Sequence, residues 1–441
     1  MDARTRKPGW SSVWGRVAAC GLTTLLLLIG GVPGKEQTAA ARAQSVARPY
    51  AGATITVVLP PWGAMPAARL RAFTQQTGIN VNLQILGWDQ IHDKVVTAVA
   101  AGVSPGDVTE FDWSWVGQFA RGGWYTPLNG YINKALVADI PATPLFSSQG
   151  NTLAIPYSAD FRFLLVNTQY FRRAGITTLP RTMADVLADA RQIKAKKVAT
   201  YPLALPLSAT EGAATPWYLF TKAFGGDLFS RTGQPLFTAR GSAGALALGF
   251  IATALKTDAV IDPAEVALTD VQSDTAFRAG RYAMEFVGPG TLATANDPKQ
   301  SKVAGQVHAV LMPGLRGPSQ TIGLPEALGI PKASKNPGAA AAFITWWLQP
   351  ANLTVMYQTQ GDLPTRTSVI SAMVKGKSLF DGETVLRQST LVAPIFPQGT
   401  PTWYPRFSTE VATTINALAR GSESVDQALQ HLGSVAQGFG Q

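Results

Sequence analysis

The chain has 441 residues, of which 46% are hydrophobic and 15% are charged, and its formal net charge is +10. This length exceeds what one compact core usually holds, so it predicts two domains. The composition is typical of an ordinary folded protein and excludes a coiled coil. The Lys and Arg residues form no dense run, which argues against a nucleic-acid-binding protein.

The first 43 residues have the pattern of a cleaved signal peptide. Basic residues precede an apolar stretch from Val17 to Val32, and Ala41-Arg42-Ala43 gives an A-x-A cleavage pattern before Gln44. The stretch is about 16 residues long, shorter than the roughly 20 that span a bilayer, so cleavage is favoured over a retained anchor. Removal of residues 1–43 leaves 31 basic and 25 acidic side chains, a net charge of +6.

Cys20 is the only cysteine, so no disulfide can form within the chain. The sequence Val17-Ala-Ala-Cys20 matches the short pattern of a lipoprotein cleavage site. However, the apolar stretch follows this cysteine instead of preceding it. We therefore expect Cys20 to be removed with the signal and the mature protein to be free in the periplasm.

Strands and helices alternate in the remainder of the chain. Strands are predicted at Thr54–Leu59, Val81–Ile85 and Val108–Phe111, with helices at Pro66–Thr77 and Trp88–Ala101 between them. This βαβαβ order favours a parallel sheet covered by helices. Further strands are predicted near 161–166, 282–287, 307–311 and 326–330, and further helices near 168–174, 183–195, 242–256, 272–279, 337–348, 408–419 and 424–437.

Common catalytic motifs are missing from the sequence. It contains no G-x-S-x-G, no H-E-x-x-H and no G-x4-G-K-[ST] motif. His92, His308 and His431 are far apart in sequence, so neither a three-histidine metal site nor a cofactor is predicted. Glycoside hydrolysis needs only two carboxylates, so Asp112 and Asp160 leave an exported glycosidase open as a remote alternative.

Five tryptophans stand at predicted strand ends or in proline-containing segments, namely Trp62, Trp113, Trp115, Trp217 and Trp403. A sugar offers a flat C–H face and a ring of hydroxyls, which aromatic planes and carboxylates bind together. Ligands of open α/β sheets gather at the carboxyl ends of strands, where Trp62, Asp112 and Trp113 are predicted. Core packing is the alternative for each tryptophan, and residue types alone leave it open.

Short motifs follow one another in a recognisable order from about Thr54 to the C-terminus. Phe73–Val81 fits the phrase F-x-x-x-T-G-I-x-V, Gly106-Asp-Val108 fits P-D-V, and Leu153–Gly175 fits Y-A-x-P…Y-N…F…A-G. Later pieces lie at 277–284, 329–337, 361–366 and 417–429. This ordered series resembles the family 1 extracellular solute-binding proteins.

The resemblance implies an α/β, two-lobed periplasmic-binding-protein fold of type II, with discontinuous lobes joined by hinge crossings. The N-terminal lobe is expected to combine 52–158 with 321–362, and the C-terminal lobe to combine 162–315 with 366–438. Crossings are expected near 157–162, 314–322 and 361–366. A ligand that touches both lobes would stabilise the closed form, which the membrane permease recognises.

The resemblance also implies the residues of a ligand cleft. Asp112 matches an acid that accepts sugar hydroxyls, Asp160 matches a hinge acid, and Trp217 and Trp403 match cleft aromatics. The other cleft candidates are Trp62, Trp113, Glu326 and Arg366. Maltose-binding members have a stacking tryptophan after a Gly-Pro pair, where this chain has Gly288-Pro289-Gly290. One aromatic platform is therefore missing, and Tyr157, Arg162 and Glu326 are expected to reshape the site.

The implied function is that of an extracytoplasmic receptor of an ABC importer. Such a receptor is a monomer without enzymatic activity that binds a sugar or polyol and delivers it to the permease subunits. A receptor for glycerol phosphate-type anionic solutes remains an alternative, because Arg162 and Arg366 could supply two cationic groups. No nucleic-acid partner is expected, and the location is expected to be periplasmic.

Overall fold

The computed structural model describes residues 48–396 and 399–439. The predicted signal peptide, residues 1–43 with Cys20, lies outside these residues. The strands are β1 (Thr54–Leu59), β2 (Asn80–Ile85), β3 (Val108–Asp112), β4 (Ser147–Ser148), β5 (Asn151–Thr152), β6 (Ala154–Ser158), β7 (Phe163–Asn167), β8 (Leu203–Ala204), β9 (Met284–Val287), β10 (Val307–Val310), β11 (Thr321–Ile322), β12 (Glu326–Gly329) and β13 (Val392–Ala393).

Helices cover both sides of the strands. They are α1 (Ala67–Thr77), α2 (Trp88–Ala100), α3 (Val116–Gly122), α4 (Lys134–Ala138), α5 (Thr168–Ala174), α6 (Met183–Ala195), α7 (Glu211–Ala223), α8 (Ala243–Ala252), α9 (Asp270–Arg278), α10 (Pro289–Ala295), α11 (Pro337–Trp347), α12 (Pro350–Gln360), α13 (Thr367–Lys375), α14 (Gly382–Ser389), α15 (Tyr404–Arg420) and α16 (Val425–Phe439). Short 3-10 turns include Pro61–Gly63 and Trp113–Trp115. Within the described ranges, no helix combines the length and apolar character that crossing a bilayer requires.

The first large sheet has the order β2-β1-β3-β12-β6. Strands β1, β2 and β3 are parallel, as their βαβαβ order predicts. Strand β12 is antiparallel to both β3 and β6, so the complete sheet is mixed. Every residue of β3 and β12 is buried, and the polar residues among them are Thr109 and the carboxylates Glu110, Asp112 and Glu326.

The second large sheet has the order β10-β7-β9-β8. The chain enters it directly from the first sheet, because β6 belongs to one sheet and β7 to the other. Beside this passage, Arg162 N donates to Thr321 Oγ1 at 3.2 Å, and Ala159 N donates to Leu363 O at 2.9 Å. The three segments predicted to cross between the lobes are therefore hydrogen-bonded neighbours.

The predicted strands and helices agree with the structure to within a few residues, with three kinds of correction. The strand predicted at 161–166 is β7, displaced by two residues, and the helix predicted at 408–419 begins at Tyr404. The elements that were not predicted are helices α3, α4, α7, α10, α12, α13 and α14 and strands β4, β5, β6, β8, β11 and β13. Trp217 lies inside α7 and not in a turn, since that helix continues through Pro216. A proline in a helix interior normally indicates a break, which misled the sequence-based prediction here.

Candidate functional site

Two carboxylates face each other where the central strands of the first sheet meet. Asp112 is the last residue of β3, Glu326 is the first residue of β12, and the two are paired in the antiparallel register. Asp112 is 4% exposed and Glu326 is 8% exposed. Like charges that lie directly opposite each other destabilise a sheet, so this pair is unfavourable for folding unless other groups stabilise it.

Two tryptophan indoles stabilise this pair. Trp62, in the turn after β1, donates its Nε1–H to Glu326 Oε2 at 2.6 Å. Trp88, the first residue of α2, donates its Nε1–H to Asp112 Oδ2 at 3.3 Å. The other oxygen of Asp112 accepts the backbone N–H of Ser114 at 2.8 Å, which fixes the carboxylate at the start of the 3-10 turn.

A third carboxylate, Glu110, lies two residues before Asp112 on β3 and is completely buried. Its Oε2 is 2.9 Å from the Tyr157 hydroxyl, and that hydroxyl is also 3.2 Å from Glu326 Oε2. A phenol has one hydrogen and can donate it to one carboxylate at a time. Glu110, Asp112 and Glu326 each offer an oxygen within 4.8 Å of the other two. We call these three residues the carboxylate cluster.

Burial is the main cause of the raised pKa values of the carboxyl groups at this site. It raises the pKa of Asp112 to about 6, although the hydrogen bonds from Ser114 and Trp88 oppose the shift. Burial, and then mutual repulsion, raise the pKa values of Glu110 and Glu326 well above the ordinary range. Asp362, in the third crossing segment, also has a pKa well above its ordinary value, because it is buried and close to Asp160.

Asp160 and Arg162 form an ion pair in the first crossing segment. A side chain at Gly288 would collide with the carboxylate of Asp160 and the guanidinium of Arg162. The ion pair therefore leaves room only for glycine at position 288. The position of the missing aromatic platform, Gly290, is next to the backbone of Gln360 and Gly361 instead. Burial raises the pKa of Asp160, while Arg162 counteracts this effect.

Trp113 connects the end of β3 with the C-terminal helices. Its ring lies 5.1 Å from that of Tyr404, and its carbonyl accepts the Thr400 hydroxyl at 2.9 Å. The Tyr404 hydroxyl in turn donates to Glu211 Oε1 at 2.8 Å. Burial raises the pKa of Glu211 to about 7. Trp113 therefore belongs to a contact between the two predicted lobes.

The structure brings Trp62, Asp112 and Glu326 together through the indole hydrogen bond and the β3–β12 pairing. It also places Asp160 beside Gly288, whereas Trp113 follows Asp112 but packs its ring against Tyr404. Trp217 does not join them: it is fully buried beside Phe237 and donates its Nε1–H to Gly244 O at 2.9 Å. Its role as a cleft aromatic is thus replaced by a role in the core. The physical reason is that α7 packs against α8, which encloses the indole.

Arg366 and Trp403 also have partners of their own. The guanidinium of Arg366 pairs with Asp139 at 2.8 Å and donates to Leu348 O at 3.0 Å. The Trp403 ring is stacked on Phe439, with centroids 5.8 Å apart and planes 2° apart. These contacts tie segments of the fold together, and none of them involves the carboxylate cluster.

The segment of the sequence that contains most of the candidate site matches a known protein family. The model of the bacterial extracellular solute-binding protein family matches residues 63–353, about two thirds of the chain. This chain belongs to that family. The match includes all three residues of the carboxylate cluster, together with Trp88, Tyr157 and Asp160.

Similar proteins also support the assignment of this chain to the solute-binding protein family. A probable amino-acid ABC transporter periplasmic-binding protein of Sinorhizobium fredii is 22% identical over 74% of this chain and 76% of its own length. An Agrobacterium radiobacter solute-binding protein in complex with ribitol superposes with a TM-score of 0.80, at 19% identity over 89% of this chain and all of that one. Maltose-bound MalE3 of T. maritima superposes with a TM-score of 0.79, at 20% identity over 88% and 100%. The expected two-lobed fold is confirmed.

Sequence reasoning missed Trp88, Glu110, Glu211 and Asp362 as residues of this solute-binding protein's site. Glu110 had an available signal, since it is two residues before Asp112 and adjacent alternate residues of a strand share a face. Trp88 was interpreted only as part of the apolar face of α2. Nothing local to Asp362 or Glu211 indicates which distant groups they meet.

Two surface cavities lie elsewhere on the solute-binding protein. One, of about 410 Å³, is lined by Leu179, Arg181, Val310 and Arg387 among others. The other, of about 500 Å³, is lined by residues of α2 and the following loop, including Lys94 and Val103. Neither contains a residue of the carboxylate cluster. The histidines are also separate, because His92, His308 and His431 contact Gln118, Asp381 and Glu410 respectively.

Proposed function

We propose that this protein is the extracytoplasmic receptor of an ABC importer, which binds a sugar or polyol between its lobes and delivers it to the membrane permease. The observation that carries the proposal is the pair Asp112 and Glu326, at the carboxyl end of β3. Each of the two carboxylates accepts an indole N–H. Fixed carboxylates beside aromatic rings suit a polyhydroxylated ligand. Ribitol and maltose, the ligands of the two similar structures, belong to this class.

The proposal includes binding without catalysis. A glycosidase would use one carboxylic acid and one free carboxylate on either side of the scissile bond. Here both oxygens of Asp112 accept hydrogen bonds from the protein, and Asp160 is paired with Arg162. We therefore expect no release of product from chromogenic glycosides, and sustained turnover would contradict the receptor assignment.

An anionic ligand is less well supported. Arg162 and Arg366 were the two candidate cationic groups, and both are engaged by aspartates. The neighbouring groups are mainly carboxylates, which would repel a phosphate. A response to glycerol phosphates, with none to neutral polyols, would reverse this assignment.

The test is a thermal-shift screen of the purified protein against pentitols, hexitols, monosaccharides and short maltodextrins. A ligand present at 100 times its Kd stabilises the native state by about 2.7 kcal/mol. We expect at least one polyhydroxylated compound to raise Tm, and Asp112→Ala to abolish the rise. Asp93→Ala is the matched control, because that side chain is 84% exposed on α2. No response to any compound would contradict the proposed function.

Export is part of the same proposal. If the A-x-A pattern is used, the protein recovered from the extracytoplasmic fraction should begin at Gln44. Intact-mass measurement of that protein tests this directly. A mass corresponding to the complete chain would contradict cleavage.

A further inference from the structure

The site holds buried carboxylates without compensating cations. Glu110, Asp112, Glu326 and Asp362 are each at least nine-tenths buried. Within residues 48–396 and 399–439, no Lys, Arg or His forms an ion pair with any of the four. A buried carboxyl is normally protonated or paired with a cation, and the described residues provide no cation as a partner for these four.

Two oxygens in this group also lack hydrogen-bond partners. Among the described residues, nothing donates to Glu110 Oε1 or to Asp362 Oδ2. Glu110 belongs to the carboxylate cluster, whereas Asp362 enters from a different segment of the chain, after α12. A buried acceptor without a donor destabilises the protein, and a ligand donor would satisfy it.

The three members of the carboxylate cluster are close enough together for one protonated amine to bind all of them. A tetrahedral ammonium with N–H···O distances of about 2.9 Å holds three oxygens about 4.7 Å apart. The cluster offers three carboxylate oxygens that all lie within 4.8 Å of one another. The indoles of Trp62 and Trp88 adjoin the same carboxylates, and aromatic rings also attract cations.

Resting on the proposed function, we propose that the ligand is an amino sugar or amino polyol, whose protonated amine is bound by Glu110, Asp112 and Glu326. The amine supplies the missing positive charge, and the hydroxyls of the same molecule bind the remaining polar groups of the cleft. A neutral sugar of the same shape would leave the carboxylates without a cationic partner.

A bare metal ion fits the donor set less well. Calcium requires six to eight oxygen ligands at about 2.3–2.6 Å. In this structure Trp62, Trp88, Ser114 and Tyr157 already point N–H or O–H donors at the cluster oxygens. The cluster offers one ligand oxygen from each of three residues, half or fewer of the ligands that calcium requires, whereas three acceptors match the three hydrogens of a protonated amine.

Calorimetry with matched ligand pairs tests the proposal. D-glucosamine is compared with D-glucose, and 1-amino-1-deoxy-D-sorbitol with D-sorbitol, at a pH where the amines are protonated. We expect the amine of at least one pair to bind about 10-fold or more tightly than its hydroxyl counterpart. Equal or tighter binding of the hydroxyl compounds would overturn the amine proposal and leave the proposed function intact. Binding of no member of either pair or of the polyol panel would instead contradict the proposed function.

Variants show whether the preference comes from the cluster. Glu326→Gln and Glu110→Gln should each reduce the amine-to-hydroxyl preference to about threefold or less, while the protein remains folded. Glu383→Gln, at an exposed position of α14, should keep the preference. Retention of the full preference by both cluster variants would overturn the assignment of the amine site.

A metal titration tests whether the carboxylate cluster binds a metal ion instead of an amine. Calcium or magnesium chloride should give no saturable heat, and chelation should leave ligand binding unchanged. Metal binding that is required for a neutral polyol to bind would overturn the proposal in favour of a metal site.

Discussion

Asp112 and Glu326 are partners across the antiparallel β3–β12 pair, although 213 positions separate them along the chain. Each accepts an N–H from a different tryptophan, one from the turn after β1 and one from the start of α2. The sheet thus places two like charges side by side, and the surrounding turns supply the donors that stabilise them. Like charges opposite each other in a sheet oppose folding, so these N–H donors offset part of that effect.

The proton affinity of Asp112 predicts how stability depends on pH. Its pKa is raised from 3.8 to about 6, so the folded state holds a proton that the unfolded state releases. The stabilisation is fully present below about pH 4 and is lost as the pH rises through about 6. Relative to wild type, Asp112→Asn should therefore gain about 2–3 kcal/mol of unfolding free energy between pH 4 and pH 8.

Denaturant unfolding at several pH values measures this difference. The pH dependence isolates the titration, because a lost hydrogen bond shifts both ends of the curve equally. Asp93→Asn serves as the exposed control and should show no such trend. A constant difference between Asp112→Asn and wild type across this range would contradict the expectation.

Removal of the Trp62 indole N–H should weaken ligand binding. Trp62→Phe keeps an aromatic ring but leaves Glu326 without its 2.6 Å donor. The carboxylate then loses its fixed orientation, and we expect the ligand Kd to rise about 10-fold. Trp124→Phe, beside Phe119 and outside the carboxylate cluster, is the matched control and should bind normally. Equal affinities of the two variants in calorimetry would argue against a binding role of Trp62.

The contact between the predicted lobes depends on a glycine in α3. A methyl group on Gly117 would collide with the carbonyl oxygen of Thr400, next to the hydrogen bond between Thr400 and Trp113. Gly117→Ala should therefore oppose closure, raise the ligand Kd about 10-fold and increase the radius of gyration of the liganded protein. Small-angle scattering with and without ligand measures the change.

Gly249→Ala is the control for this experiment, because a methyl group there meets nothing within 4 Å in the interior of α8. It should close normally and gain about 0.5–1 kcal/mol of stability from its higher helix propensity. If Gly117→Ala closed as fully as this control, the contact would have no part in closure.

Trp217 should be needed for stability but not for binding. Its indole is fully buried and bonded to Gly244 O, so Trp217→Phe leaves a cavity and removes that hydrogen bond. We expect a loss of about 1–3 kcal/mol of unfolding free energy. The ligand Kd of the folded variant, measured well below its Tm, should match that of wild type. A large rise in Kd without a fall in Tm would restore the cleft role that the sequence suggested.

The sequence by itself determined the elements and the general position of the site. Periodicity predicted β1, α1, α2 and β3 nearly to the residue, because side-chain period follows backbone geometry. It also placed Asp112 at the carboxyl end of a strand, where ligands of open sheets bind. The ordered motifs indicated the two-lobed fold, which the comparisons confirmed.

Only the tertiary structure decided which side chains meet. Trp62, after β1, reaches Glu326 across β3, and Tyr157 on β6 reaches Glu110 across β12. This sheet is complete only after the chain has returned to it from the second sheet. Trp217 had the same local features as a cleft aromatic, yet packing of α7 against α8 enclosed it. Side-chain period and helix or strand propensity act over a few residues, whereas burial and pairing are set by contacts between segments tens to hundreds of residues apart. The chemistry of this site arises from those distant contacts.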